Sequence, residues 1–519
     1  MRQSGVINEA RAGAAGGAWQ GPPGGTAHGN PLRWLAAVCA AFALVHLVLV
    51  APGLGLGWDE SVYVSQVSPQ APAAFFSAPR ARGITFLVAP VTSLTTSVVA
   101  LRVFMAVLAG CGLFVALWVW RRLLPAPVLG VAGALFAGLW ITMFYASQAM
   151  PNLWVAYGAL AAVGCFLRAA RDPDDRWAPA GMAAGVAFAA LMRPTDAMWF
   201  ALPLAVAAVV MRAWRWPLLL AALVAGVAVG CAPWIAEAYA AYGGLSARLE
   251  RASEIQGRLG WYFSVDDHVR ALDGRLLCRP CDVPWRHPAA ALWFFALPLF
   301  VAAGVRAAVR DRRHRAEMVV ATVVGAALAA PYLFTVGYAA PRFLLPAYAL
   351  LALPVAYGLV RLCRPRPRGR RIVVGLVAAA VAAHLAVQYR VVDSAADRVR
   401  RSTADLGRIT AELHALGVRP PCVVSGAEAI RIAFRAGCSS RQPRGHDGSI
   451  TPEELAATAR HRPVAVVVAE GGRPPAYARA WPSHPLPDLG SRTGLRAYVA
   501  GARPAAPGAT PSEPPSTGR

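Results

Sequence analysis

Long apolar runs recur through this sequence and dictate, more than any other feature, what it can fold into. A helix rises about 1.5 Å per residue, so roughly 20 apolar residues cross a hydrocarbon layer of about 30 Å. Runs near that length fall at 33–52, 98–120, 127–146, 153–168, 178–192, 197–211, 217–238, 289–305, 317–337, 343–360 and 372–389. With 57% hydrophobic residues and a mean hydropathy of +0.45, the 519 residues carry more apolar side chain than a water-soluble domain buries. The expected fold class is an all-α polytopic membrane protein of about eleven transmembrane helices. Its weakest spans are 178–192 and 197–211, which Arg193-Pro194-Thr195-Asp196 separates; losing both together leaves every other orientation unchanged.

Charge sets the orientation. All 51 basic residues are arginine, and the net charge is +24. Such a charge attracts nucleic acid when gathered on one face, but here it is spread in short clusters between apolar runs, so no nucleic-acid partner is expected. With the N-terminus inside, the five cytoplasmic loops (121–126, 168–177, 212–216, 306–316, 361–371) hold 18 arginines in 43 residues. The five outer loops hold 11 in 110, which follows the positive-inside bias. A multi-pass plasma-membrane protein is expected, with long outer loops 53–97 and 239–288. No cleavable signal is expected. Residues 1–32, rich in Gly and Ala, and 503–519, rich in Pro, Ala and Ser, are expected to be disordered.

Residues 390–502 predict a small extracytoplasmic α/β domain with a recognition or packing role. "DSAADRVRRSTADLGRITAELHALGV" repeats apolar residues at helix spacing, "TPEELAATARHR" reads as a capped helix, and "PPCVVSG", "RPVAVVVAE" and "LRAYVA" read as strands. Four of the nine cysteines fall outside the membrane in this topology. Disulfides are the default there, Cys422 to Cys438 being the better candidate, with Cys278 and Cys281 close in the second long loop. A zinc site of His268, Cys278, Cys281 and His287 is the minor alternative. No metal and no cofactor is required by any motif, although a divalent metal is compatible with the sequence.

Short cytoplasmic loops cannot build a pocket, so any chemistry belongs on the outer face. Directly after the first span stands "GLGLGWDESVYVSQV". There Asp59 and Glu60 either cap a short helix and favour its dipole or one of them acts as a general base; adjacent helix positions face different ways, so they do not share one substrate atom. Arg80 and Arg82 follow in the same loop, either on anionic headgroups or on a substrate phosphate. Arg342 is the lone charge between two apolar runs at the outer mouth of the tenth span. Arg193 and Asp196, three apart, suit an internal ion pair or a pocket, and Gln148 and Asn152 suit sugar hydrogen bonds or the closing of a turn.

"GWDESVYV", "SAPRARGITFLVAP", "SQAMPNLW", "LMRPTDAMWF" and "APRFLLPAYALLALP" together resemble the C-type glycosyltransferase superfamily, most closely its protein O-mannosyltransferase and aminoarabinose-transferase-like branches. The resemblance spans nearly all of 33–502. It implies a polyprenyl-phosphate sugar as donor, membrane lipids as surroundings, and an acceptor glycan, lipid or protein. It further implies Asp59 as catalytic base with Glu60 beside it, an inverting transfer, and Arg342 with Arg80 or Arg82 on the donor phosphate. Two departures stand out. Ala78-Pro79-Arg80 replaces the His-Pro-rich motif of protein mannosyltransferases, and Asn152 replaces an acidic residue that many relatives carry. The rival classes are a transporter or lipid flippase, which calls for midplane charge pairs and internal repeats, and a noncatalytic cell-envelope assembly protein.

Overall fold

The computed structural model describes residues 31–214, 217–279, 281–282, 284–363, 370–490 and 492–501. The expectation of disordered ends therefore falls, but for Pro31 and Leu32, outside the described residues. The membrane block begins with α1 (Pro31–Val45, prolonged by His46–Val50), the short α2 (Trp58–Ser65) and α3 (Gly83–Thr92), and α4 (Val98–Trp118). It continues with α5 (Ala126–Ala137), α6 (Trp140–Tyr145), α7 (Pro151–Arg171), α8 (Trp177–Met192), α9 (Pro194–Val210) and α10 (Pro217–Ala241). After the shorter helices α11 (Leu245–Ile255) and α12 (Val265–Ala271) come α13 (Leu292–Asp311), α14 (Arg315–Phe334), α15 (Leu345–Leu362) and the long α16 (Arg370–Ala415).

Each expected apolar run is helical over most of its length. Among the described residues, eight helices are long and apolar enough to cross a membrane: Leu32–Val50, Val98–Arg122, Pro151–Arg171, Pro217–Ala241, Pro288–Asp311, Arg315–Phe334, Pro341–Leu362 and Arg371–Ala415. The runs read at 127–146, 178–192 and 197–211 are the shorter ones. The first divides into α5 and α6, and the others part at Arg193, which is extended (φ −153°, ψ 98°) as a residue before proline prefers. Pro194 then opens α9, where its missing N–H is harmless.

Helix α7 lies at the centre, 83% of its apolar window buried, against 22% for Pro288–Asp311 at the rim. With no hydrophobic drive between helices in lipid, contact depends on close fit. Gly304 of α13 lies so near α15 that an added Cβ would come 1.8 Å from the Pro354 carbonyl oxygen. Gly304→Ala is expected to destabilise the protein by about 1–3 kcal/mol, read as a fall in melting temperature in detergent; an unchanged melt would remove this crossing from the account.

The eleventh span and the first helix of the outer domain, read as separate, are one helix. α16 runs 46 residues, about 70 Å, with no Gly or Pro between Leu376 and Leu406 to interrupt it. Val391, Val392, Ala395 and Ala396 pack into the core of the membrane block, whereas Leu406, Ile409 and Leu413 enter that of the outer domain. That domain holds β1 (Val423–Gly426), α17 (Ala429–Ala436), β2 (Ser439–Ser440), α18 (Pro452–Thr458), β3 (Val464–Val468), β4 (Ser483–Pro485) and β5 (Arg496–Ala500). The sheet order is β2-β1-β3-β5-β4, with β1 parallel to β2 and β3, and β5 antiparallel to β3 and β4. The predicted cap of α18 is present: Thr451 Oγ1 accepts from Glu454 N (3.1 Å) and Glu454 Oε2 accepts from Thr451 N (2.9 Å).

Cys422 is bonded to Cys438 and Cys278 to Cys281. The second bond corrects the zinc alternative, because sulfurs bonded to each other are not thiolate ligands. Among the described residues, no group of three or more His, Cys, Asp or Glu is placed to hold a metal ion.

Candidate active site

The loop 53–97 is organised around a buried charge. Gly57 caps α2, and Glu60, three positions on, reaches back so that its Oε2 accepts from the Gly57 amide at 2.9 Å. The same carboxylate takes both arms of Arg102 from α4 (2.5 and 2.9 Å) and the Ala149 amide (2.7 Å). Arg102 also donates to the Gly55, Leu54 and Ser147 carbonyls. Both side chains are 2% exposed. Glu60 thus joins α2, α4 and the turn before α7, with both of its oxygens accepting from protein donors.

Asp59 faces the other way, as adjacent helix positions must. Its Oδ1 accepts from Arg80 Nη2 at 2.9 Å and its Oδ2 from Arg342 Nη2 at 3.3 Å, and a third of the side chain stays open. Burial pushes this carboxyl up, but Arg80, Arg342 and the more distant Arg193 outweigh it and hold it below the usual carboxylate range. Two guanidinium groups thus converge on one ionised aspartate that stays partly open.

Two loops position these arginines. Arg248 is fully buried and binds the Ala78 carbonyl (3.1 Å), the Arg80 carbonyl (3.0 Å) and the Trp234 carbonyl (2.6 Å), which fixes the backbone of 78–80. Its remaining partner is Glu237 (2.8 Å), which also holds Arg82 at 2.5 Å. Arg82 further donates to Gln66 (2.8 Å) and lies over the Phe76 ring. Of the two loop arginines, then, Arg80 meets Asp59 and Arg82 is engaged elsewhere. On the second side, Arg342 stands in the turn Pro341–Leu344, tied to the loop 239–288 by its bond to the Leu276 carbonyl (3.2 Å) and by the Cys278–Ala339 bridge.

Arg193 pairs with Asp196 at 2.9 Å and donates to the Tyr332 hydroxyl (2.8 Å), which in turn donates to Asp196. The Tyr332 ring stacks on Phe343, next in chain to Arg342. Gln148, in the turn leading into α7, and Asn152, in the first turn of α7, are buried, and neither amide atom of Asn152 has a partner among the described residues.

Sequence reasoning missed four charged residues here: Arg102, Glu237, Arg248 and Asp447. Arg102 had a signal, being a lone charge inside an apolar run, the same criterion that singled out Arg342. Asp447, which binds Arg80 at 3.2 Å from the outer domain, had none.

No family model matches the sequence, and no curated protein matches it. Solved structures do. ArnT from Cupriavidus metallidurans bound to undecaprenyl phosphate superposes with a TM-score of 0.64 at 13% identity, covering 90% of this chain and 98% of that one. Its apo state gives 0.61 at 13% identity over 90% and 97%. The archaeal oligosaccharyltransferase AglB from Archaeoglobus fulgidus, in complex with an inhibitory peptide and a dolichol-phosphate, gives 0.50 at 13% identity over 83% and 69%. At this identity the likeness speaks to architecture alone: the chain shares the fold of these solved structures.

Proposed function

We propose that the protein is an inverting membrane glycosyltransferase that moves a sugar from a polyprenyl-phosphate donor to an acceptor hydroxyl on the outer face. The observation that carries this is Asp59 held between Arg80 and Arg342. The guanidinium pair suits a lipid-borne phosphate, which each can bind through parallel N–H bonds. ArnT and AglB, of the same fold, are bound to undecaprenyl phosphate and a dolichol-phosphate.

The chemistry follows from the charges. With no donor bound, the two arginines depress Asp59 and make it a poor base. A donor phosphate between them takes over their charge, so the carboxylate regains basicity when a sugar is present to be attacked. The acceptor oxygen then gives its proton to Asp59 as it bonds to the anomeric carbon, and the carbon–oxygen bond to the polyprenyl phosphate breaks with its electron pair on the phosphate. Arg80 and Arg342 stabilise the charge that grows on that leaving group. Arg82 has no place in this scheme, and Arg193 contributes at longer range. Gln148 and Asn152 remain candidates for the sugar hydroxyls, Asn152 through its unpartnered amide.

Arg342→Gln removes one charged grip on the phosphate. Affinity for undecaprenyl phosphate is expected to fall about 10- to 100-fold, measured by thermophoresis of purified protein in detergent. An unchanged dissociation constant would take Arg342 out of the donor site.

A further inference from the structure

Arg80 has three partners, and one of them comes from the outer domain. Nη2 meets Asp59 (2.9 Å), while Nη1 meets both Ser77 Oγ and Asp447 Oδ1, the latter at 3.2 Å. The Asp447 side chain is 11% exposed and that of Arg80 12%, so this contact is shielded from the water that weakens surface ion pairs. The pair also spans 367 residues of chain.

The loop that carries Asp447 is built rather than draped. Gln442 anchors its start to the end of β1, donating to the Gly426 carbonyl (2.8 Å) and accepting from the Gly426 amide (3.2 Å). Ser449 closes its end: its amide donates to the Gln442 carbonyl at 2.8 Å, and its hydroxyl accepts from Gln442 N at 3.3 Å. At the tip, Arg251 of α11 donates to the Gly445 carbonyl (3.1 Å). Arg444, Gly445 and His446 are exposed, whereas Asp447 turns inward. A closed eight-residue loop therefore presents one carboxylate to Arg80, one of the two cations that hold the proposed base.

We infer that Asp447 is a displaceable counter-ion for the donor phosphate, latching the loop 442–449 to Arg80 until the lipid-linked donor arrives. This rests on the donor reading above. Asp447 takes an N–H of Arg80 that a phosphate oxygen needs for a two-pronged bond, so the two anions compete for the same group. Phosphate binding breaks the Arg80–Asp447 contact and frees the loop tip, which signals an occupied donor site to the outer domain. Asp447 is thus a positioning residue that never touches the sugar.

The test uses full-length protein in detergent with undecaprenyl phosphate as the probe. Asp447→Asn keeps the shape and removes the charge that repels phosphate. The lipid is expected to bind this variant about 3- to 10-fold more tightly, while Asp447→Glu, which restores the charge, binds near the wild-type value. Arg444→Ala, on the exposed tip, changes nothing. Hydrogen exchange gives the second readout. Without lipid, amides 443–448 exchange faster in Asp447→Asn than in wild type; adding lipid raises wild type to the variant's rate. A lost structural contact would instead weaken lipid binding. Equal or weaker binding by Asp447→Asn, or exchange at 443–448 that the lipid leaves unmoved or slows, overturns the latch and leaves the donor reading standing. Failure of the wild type to bind the lipid at all overturns both.

Discussion

Asp59→Asn is expected to lower sugar transfer by about 10²- to 10⁴-fold, the span that a positioned general base contributes. Asparagine preserves the size of the side chain and an oxygen for one arginine, so folding and membrane insertion are expected to stay intact. Removing the negative charge also frees Arg80 and Arg342, and affinity for undecaprenyl phosphate is expected to rise. Loss of transfer with tighter phosphate binding is the signature of a base that shares its cations with the donor. A collapsed fold would produce loss of both. Incorporation of labelled sugar from polyprenyl-phosphate donors, set beside a binding isotherm, distinguishes them, and near-normal transfer by this variant would refute the assignment.

Glu60→Gln is expected to do different damage. It leaves the Arg102 guanidinium, 2% exposed, without its counter-charge, and breaking one partner of a buried pair costs about 3–5 kcal/mol. The melting temperature should fall sharply, and transfer should fall with it because α2 no longer holds Asp59 in place. Adding Arg102→Met to that variant removes the stranded charge, so part of the stability should return while transfer does not. If Glu60→Gln melts like wild type yet transfers no sugar, Glu60 belongs to the chemistry after all, and the division of labour between the two neighbours is reversed.

These opposite fates for adjacent carboxylates mark where sequence reading reached and where it stopped. Apolar runs of membrane length gave away the helices, and arginine-rich short loops predicted which ends lie together, because both follow from local chemistry. The capped helix at Thr451 and three of the five strands of the C-terminal domain were legible for the same reason, whereas the short β2 and β4 were not. What could not be read was which side chain meets which across hundreds of residues. That Asp59 and Glu60 face apart, by about 100°, was legible; that one meets Arg80 and Arg342 and the other Arg102 was not. Arg80 and Arg82 looked interchangeable, yet the Arg248 clamp on the 78–80 backbone turns only Arg80 toward Asp59. The boundary placed at 390 falls inside α16, which passes from an apolar run to a charged one without a helix breaker, because a change in composition is not a change in backbone. Asp447 had no local signature, since its importance comes from the loop that Gln442 and Ser449 close.

The outer domain gains a physical role from this geometry. It is carried on a helix continuous with the membrane block, and under the proposed latch its loop 442–449 responds to whether a donor phosphate occupies Arg80.

The most direct measurement is a structure of the protein with undecaprenyl phosphate bound. The account predicts the phosphate between Arg80 and Arg342, its oxygens within hydrogen-bond distance of both guanidinium groups and Asp59 facing the position of the anomeric carbon. A phosphate bound elsewhere, with Arg80 and Arg342 still closed on Asp59, would contradict it.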